Sequence, residues 1–433
     1  MAFLGMRGTG DWVADARPKN WREAILFRYP NGSAPLTAIL SKMGSEKTDD
    51  PEFNWWTKDL ATQRATVTGV YTDVLSSAYA SGGVAGDTLY VKMSAAEVTQ
   101  FRAGHTVLLR DASDLTVDCV GKVTTRVVNG ASSYVTVKLL ENDDNSSLGD
   151  LSDCDAILVI GNVNAEGANM PEAIARDPEK WYNFTQIFRT PLELTRTALR
   201  TRLRTGDHYK EAKRECLEMH SIEMEKSFLF GVPSENTGDN GQPERTTLGI
   251  IPAIRGGYTG MGANAGLVNN YVQNATYNGV TWLNGGEDWL DEQLEVIFRK
   301  GSNEKLAFAG SQALLGINRL IKAKGNFDFT AMTADYGLKV IKWTTAFGTI
   351  NIMTHPLFSH EVTTRGAMVI FEPKDIKSRF IDDTMYKADE QMKKGGWTSR
   401  DGIKEEYLTE VGLEYHHPDG WGYLSGFNQD NPA

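Results

Sequence analysis

Residues 206–254 constrain this chain more than any other stretch. A charged amphipathic run leads into Phe228-Leu-Phe-Gly231-Val-Pro233. A polar loop rich in Gly and Asn follows, and then Arg245-Thr-Thr-Leu-Gly249-Ile-Ile-Pro252. At the helical period, Tyr209, Ala212, Cys216, Leu217, Met219, Met224 and Phe228 share one broad arc. Glu211, Arg214, Glu215, Glu218 and Glu225 lie opposite, with Ile222 the exception. Asp207 is placed to cap the first turn, because a carboxylate there accepts from an otherwise unpaired N–H. Arg214 and Glu218 are four apart and form a weak pair. Gly231 and Pro233 supply the stop. The spacing predicts one helix of about 35 Å. Periodicity alone makes it an ordinary packed helix, and it carries no group arranged for chemistry.

A chain of 433 residues favours two to four structural units and has ample length to bury a core. No apolar run approaches a membrane span, so no membrane partner is expected. The first residues lack a basic region followed by a long apolar core, so no secretory signal is expected. Cys119, Cys154 and Cys216 are odd in number and widely spaced, against both a disulfide framework and a zinc cluster. The net charge of −11 opposes general affinity for nucleic acid. A local exception is the strip Arg189, Arg196, Arg200, Arg202 and Arg204, set against Glu193 alone. Two readings compete for it: a phosphate- or partner-facing strip, and a solvated or intersubunit face. The second is favoured, because the interleaved aromatics of a base-stacking surface are missing.

Residues 1–52 read as an arm. Trp12, Trp21 and scattered aliphatics among prolines cannot close a core of their own, so they need a surface to lie on, as an added strand or a clasp. From about 85 to 161 the period shifts to two. Asp87–Met93, His105–Asp111, Thr116–Val128, Tyr134–Leu140 and Ala156–Ile160 are expected strands, with a hairpin signalled by Asn129-Gly130. A bare two-stranded ribbon is marginal in water, so a compact small barrel or sheet is expected there. Residues 248–372 read as a mixed α/β unit, with helices ending near Gly301 and Gly325 and a hairpin at Phe347-Gly348. Strands return at Asp375–Ile381 and Glu405–Tyr415.

Nothing specific supports an enzyme. The cluster Gly257, Gly260, Gly262 and Gly266 lacks the lysine and the strand-to-helix frame of a phosphate loop. Pro356 keeps His355 and His360 off a shared helix face, and no third metal ligand is suggested. Cys216 lies within the apolar arc and reads as packed. No cofactor, metal or catalytic residue is expected.

Taken in order, several weak motifs resemble the major capsid proteins of tailed bacteriophages, built on the Hong Kong 97-type fold. They are Phe53-Asn-Trp-Trp56, Asn183-Phe-Thr-Gln-Ile-Phe188, Ile222-Glu-Met-Glu-Lys-Ser-Phe-Leu-Phe-Gly231 and Arg245-Thr-Thr-Leu-Gly-Ile251. Further on come Gly301-Ser-Asn-Glu-Lys305, the Gly337 to Pro356 hairpin and Asp401-Gly-Ile-Lys-Glu-Glu-Tyr-Leu-Thr-Glu410. Each is weak alone; their colinearity over roughly residues 50–427 carries the resemblance.

The resemblance implies an α+β chain in six parts. These are an N-terminal arm (1–52), an elongated loop with a β-rich insertion (53–170) and a peripheral domain with a spine helix (171–247). An axial domain (248–372), peripheral strands (373–416) and a C-terminal return to the axial domain (417–433) complete it. It further implies self-assembly into hexamers and pentamers of an icosahedral head around double-stranded DNA, in the host bacterial cytoplasm, without sequence-specific binding. Scaffolding, portal and decoration proteins are the implied partners. Some relatives begin with a cleaved helical scaffold; this chain opens with its arm, so any scaffold is expected to be separate or absent. Assembly anchors would be Trp12, Trp21, Trp55 and Trp56, with Arg196, Arg200, Arg202 and Arg204. Core packing within the subunit is an equal alternative for the tryptophans. Rival readings are a bacterial encapsulating shell protein and a carbohydrate- or partner-binding module.

Overall fold

The computed structural model of the chain describes residues 35–36, 44–58, 62–111, 118–143, 151–201, 207–324, 330–333, 339–389 and 401–432. It divides into two compact units. Thr57–Glu179 forms one, and the segments Met1–Trp56 and Lys180–Ala433 form the other.

In the larger unit, seven strands form a mixed sheet in the order Val268–Asn270, Gly422–Ser425, Met368–Phe371, Glu304–Ala309, Thr349–Thr354, Lys339–Thr344 and Thr330–Thr333. Two neighbouring pairs run parallel, Glu304–Ala309 with Thr349–Thr354 and Val268–Asn270 with Gly422–Ser425. Met368–Phe371 is continuously apolar and buried at every position, as a central strand covered on both faces must be. The helix Trp282–Phe298 buries Trp282, Trp289, Leu290, Leu294 and Ile297. Ser311–Lys324 forms the second expected helix. Gly325 lies outside the described residues.

A second sheet of the same unit has the order Ser45–Lys47, Ile376–Lys387, Gly402–Tyr415, Gln186–Thr195. The long helix His208–Phe230 belongs with it and has 23 residues. Asp207 caps it as expected, accepting from the N–H groups of Tyr209 and Lys210. Its stop is steric as well as conformational. A Cβ on Gly231 would come within 2.5 Å of both the Ser227 and Thr247 carbonyl oxygens.

The buried face of this helix differs from the expected arc. Leu217 and Met219 are 40% and 56% exposed, whereas Cys216, His220, Met224 and Phe228 form the buried i, i+4 ladder. Glu225, expected on the polar side, is fully buried. Counting apolar residues misplaced the face because two of its members are polar and bonded. The ring nitrogens of His220 lie 2.9 Å from Thr190 Oγ1 and 2.8 Å from Thr409 Oγ1. Burial lowers the pKa of that imidazole.

The inserted unit is a seven-stranded antiparallel sheet in the order Arg64–Thr66, Ala156–Asn162, His105–Arg110, Asp118–Val127, Tyr134–Leu139, Thr88–Lys92, Gly69–Tyr71. The two outermost strands are separated in sequence only by Val67 and Thr68. Val67 N–H donates to Asp155 O at 2.7 Å and Thr68 N–H to Lys92 O at 2.9 Å. One short step therefore joins both edges, and the sheet curls into a barrel that hides them. Val91, Phe101, Val107, Leu109, Val123, Val135, Val137 and Ile157 fill its core. The hairpin signalled by Asn129-Gly130 is present. Only Gly130 takes positive φ (+53°); Asn129 has φ −146° and ψ 62°, and a short 3-10 turn widens the loop.

Candidate functional site

The residues with chemical potential are used for packing. Cys119 and Cys154 are buried in the barrel, and burial pushes both thiols up to about 12, far from a reactive thiolate. Among the described residues no group of His, Cys, Asp and Glu could hold a metal ion. One member of the glycine cluster has a steric reason. A Cβ on Gly260, at φ +89°, would lie 2.4 Å from Lys180 O, so the loop hugs the strand Glu179–Phe184.

Contacts that join distant parts of the chain are where the larger unit invests its polar groups. Ser45–Lys47 adds a parallel edge strand to Ile376–Lys387, with Glu46 opposite Arg379. Of the two expectations for this stretch, an added strand or a clasp, residues 45–47 take the first. Glu46 pairs with Lys377 at 3.1 Å and with Arg379; Arg379 Nε reaches Glu414 at 2.5 Å, and Glu414 reaches His416 at 2.5 Å. The bond from Lys377 and the charge of Arg379 hold the Glu46 carboxyl below its usual range.

At the C-terminal end, Lys305 is fully buried. Its ammonium donates to Glu372 Oε1 at 2.8 Å, Gly420 O at 2.8 Å and Lys300 O at 3.1 Å. Burial alone would raise the Glu372 carboxyl. The bonds from Lys305, Ser302 N–H and Lys374 more than offset it and hold that group at about 2. Asp430 accepts from Trp282 N–H at 2.9 Å, and Asn431 Nδ2 donates to Tyr271 O and Asn274 O. The last residues thus cap a helix made 148 positions earlier.

The expected anchors are distributed unevenly. Trp55 lies in the core, edge-on to Trp181 at 6.3 Å, while Trp56 points outward with 64% of its surface exposed. Trp12, Trp21, Arg202 and Arg204 lie outside the described residues. Arg196 and Arg200 are exposed on the short helix Arg196–Arg200. The strip does not face Glu193 alone. The antiparallel strand Gly402–Tyr415 brings Glu406 to Arg189 at 2.6 Å, and the adjoining Asp401 sits 2.7 Å from Arg196. Sequence order hid these partners, which are more than 200 residues away. Glu46, Glu225 and Lys305 were missed as linking residues. For Glu225 the signal was its place just before Phe228-Leu229-Phe230, where apolar density rises on all sides.

In the larger unit the polar groups thus fasten chain segments together. The sequence matches the SU10 major capsid protein family over residues 23–428, and the chain belongs to that family. It is 25% identical over 431 residues to the major capsid protein of Pseudomonas phage PaMx41, covering 95% of this chain and 93% of that one. Among solved structures, a chain of Mycobacterium phage Bobi is 7% identical with a TM-score of 0.45, covering 98% of each chain. A chain from the capsid of the empty GTA particle is 9% identical with a TM-score of 0.45, covering 95% of this chain and 96% of that one.

The mixed α+β class expected from the sequence is the class observed. The chain is therefore a phage major capsid protein, a component of the virion shell built from copies of itself, and not an enzyme. Membership also sets aside the encapsulating-shell and binding-module readings.

Proposed function

We propose that copies of this chain form hexamers and pentamers of an icosahedral head that encloses double-stranded DNA. The family match over residues 23–428 is the observation that carries this reading. Closed shells need heterologous contacts that return on themselves. In this reading, residues 248–372 surround the local symmetry axes as the axial domain. Residues 171–247 and 373–416 form the peripheral part, and 417–433 return to the axial domain. The arm (1–52) and the elongated loop with its insertion (53–170) reach over neighbours, enlarging each interface beyond the roughly 1,600 Å² of an ordinary complex.

Trp56 is the anchor the exposure pattern favours, and Trp12 and Trp21 join it from the arm. Trp55 serves the subunit core. Arg196, Arg200, Arg202 and Arg204 face neighbouring subunits, where exposed charge sets register more than affinity. The acidic balance supports a lining that holds DNA loosely, since tight binding needs many Lys and Arg on phosphates. Assembly takes place in the host bacterial cytoplasm, with scaffolding, portal and decoration proteins as partners. The test is nuclease treatment of purified heads. The expected result is DNA that survives digestion until the shell is disrupted. Particles of this chain whose DNA is digested while they are intact would defeat the reading.

A further inference from the structure

Glu225 sits where a carboxylate is costly. It is fully buried in the long helix, among a core that includes Leu36, Phe228, Leu229, Phe308 and Phe358. Its Oε1 accepts from two chain segments far apart in sequence. The Leu36 N–H donates at 2.8 Å, and His355 Nε2 lies at 2.8 Å. His355 occupies the N-cap position of the helix Pro356–His360 and is itself fully buried. Its ring lies between Phe308 and Phe358, at centroid distances of 5.1 and 5.0 Å. The other ring nitrogen, Nδ1, has no partner. A proton on Nε2 therefore suits this site, because it donates to the carboxylate and leaves only a lone pair facing the apolar side.

We propose that Glu225 is a positioning residue that couples the N-terminal arm to the helix Pro356–His360. The arm is sensed through a backbone N–H, so its seating at residue 36 supplies the carboxylate with one of its donors whatever side chain stands there. Withdrawal of the arm removes that donor from a buried acceptor and loosens the hold on His355. A subunit with a seated arm thus keeps Pro356–His360, and the exposed Val362 beyond it, in one fixed place. Coupling of this kind works in both directions.

Amide hydrogen exchange on the full-length chain tests this, comparing the wild type with Glu225→Leu, Glu225→Gln and His355→Leu. Glu225→Leu is expected to speed exchange at Leu36 and at residues 355–361 together, by about tenfold or more, the scale of a buried donor left unmet. The helix Trp282–Phe298 and the barrel should keep wild-type protection. Glu225→Gln still offers an oxygen to the Leu36 N–H and should stay within about threefold of wild type at that amide. His355→Leu should loosen Leu36, to which it is linked through Glu225 Oε1. The proposal is overturned if Glu225→Leu leaves either segment at the wild-type rate or raises exchange throughout the larger unit. It is equally overturned if His355→Leu leaves Leu36 unchanged, a result readable even where Glu225→Leu does not fold.

Discussion

Three chain segments converge on Lys305, and its loss has a definite cost. Replacing it with Met would remove the buried ammonium from Glu372, leaving Lys374 and the Ser302 N–H as its partners, and is expected to destabilise by about 3 kcal/mol, the low end for a broken buried pair. A urea midpoint that falls with an unchanged slope would register this loss. The same pair sets an acid limit. Glu372 is held at about 2 against an ordinary 4.5, so its contribution is fully present above 4.5 and fades as pH falls towards 2. Tryptophan fluorescence melts should show wild type losing stability across that interval and Glu372→Gln losing less. Trp56 is the opposite case, outward and unburied. Trp56→Ala is expected to change subunit stability by under about 0.5 kcal/mol, the surface norm, while lowering the yield of assembled shells in electron micrographs.

At the level of elements, the long helix shows what local sequence can and cannot settle. Its start, length and end were legible because Asp207, Gly231 and Pro233 act through neighbours in the chain. Asp207→Ala is expected to cost about 1 kcal/mol, measurable by thermal unfolding of the larger unit. Its buried side was legible only in part. Met224 and Phe228 face the core as periodicity requires, but His220 and Glu225 join them because Thr190, Thr409, Leu36 and His355 arrive from elsewhere to satisfy them. The barrel strands were legible by their alternation and the hairpin by Gly130. The closure was not, since it depends on Val67 and Thr68 bonding to Asp155 and Lys92, partners that alternation cannot specify. Arg189 and Arg196 looked unbalanced for the same reason: Glu406 and Asp401 reach them only after Gly402–Tyr415 pairs with Gln186–Thr195.

Across the whole chain, the order of elements carried more information than any one motif. A β-rich insertion, a long capped helix, an α/β unit and returning strands follow one another in the order the sequence suggests. Segments far apart in sequence fasten the larger unit: Leu36 on Glu225, Ser45–Lys47 on the sheet edge, and Asp430 on the helix Trp282–Phe298. As a member of a major capsid protein family, the chain works by association with its own copies. Electron microscopy of the purified chain, alone and with a scaffolding protein, addresses that most directly. Closed shells or capsomer rings are expected. A monomer that persists at every protein and salt concentration, with or without the scaffold, would contradict it.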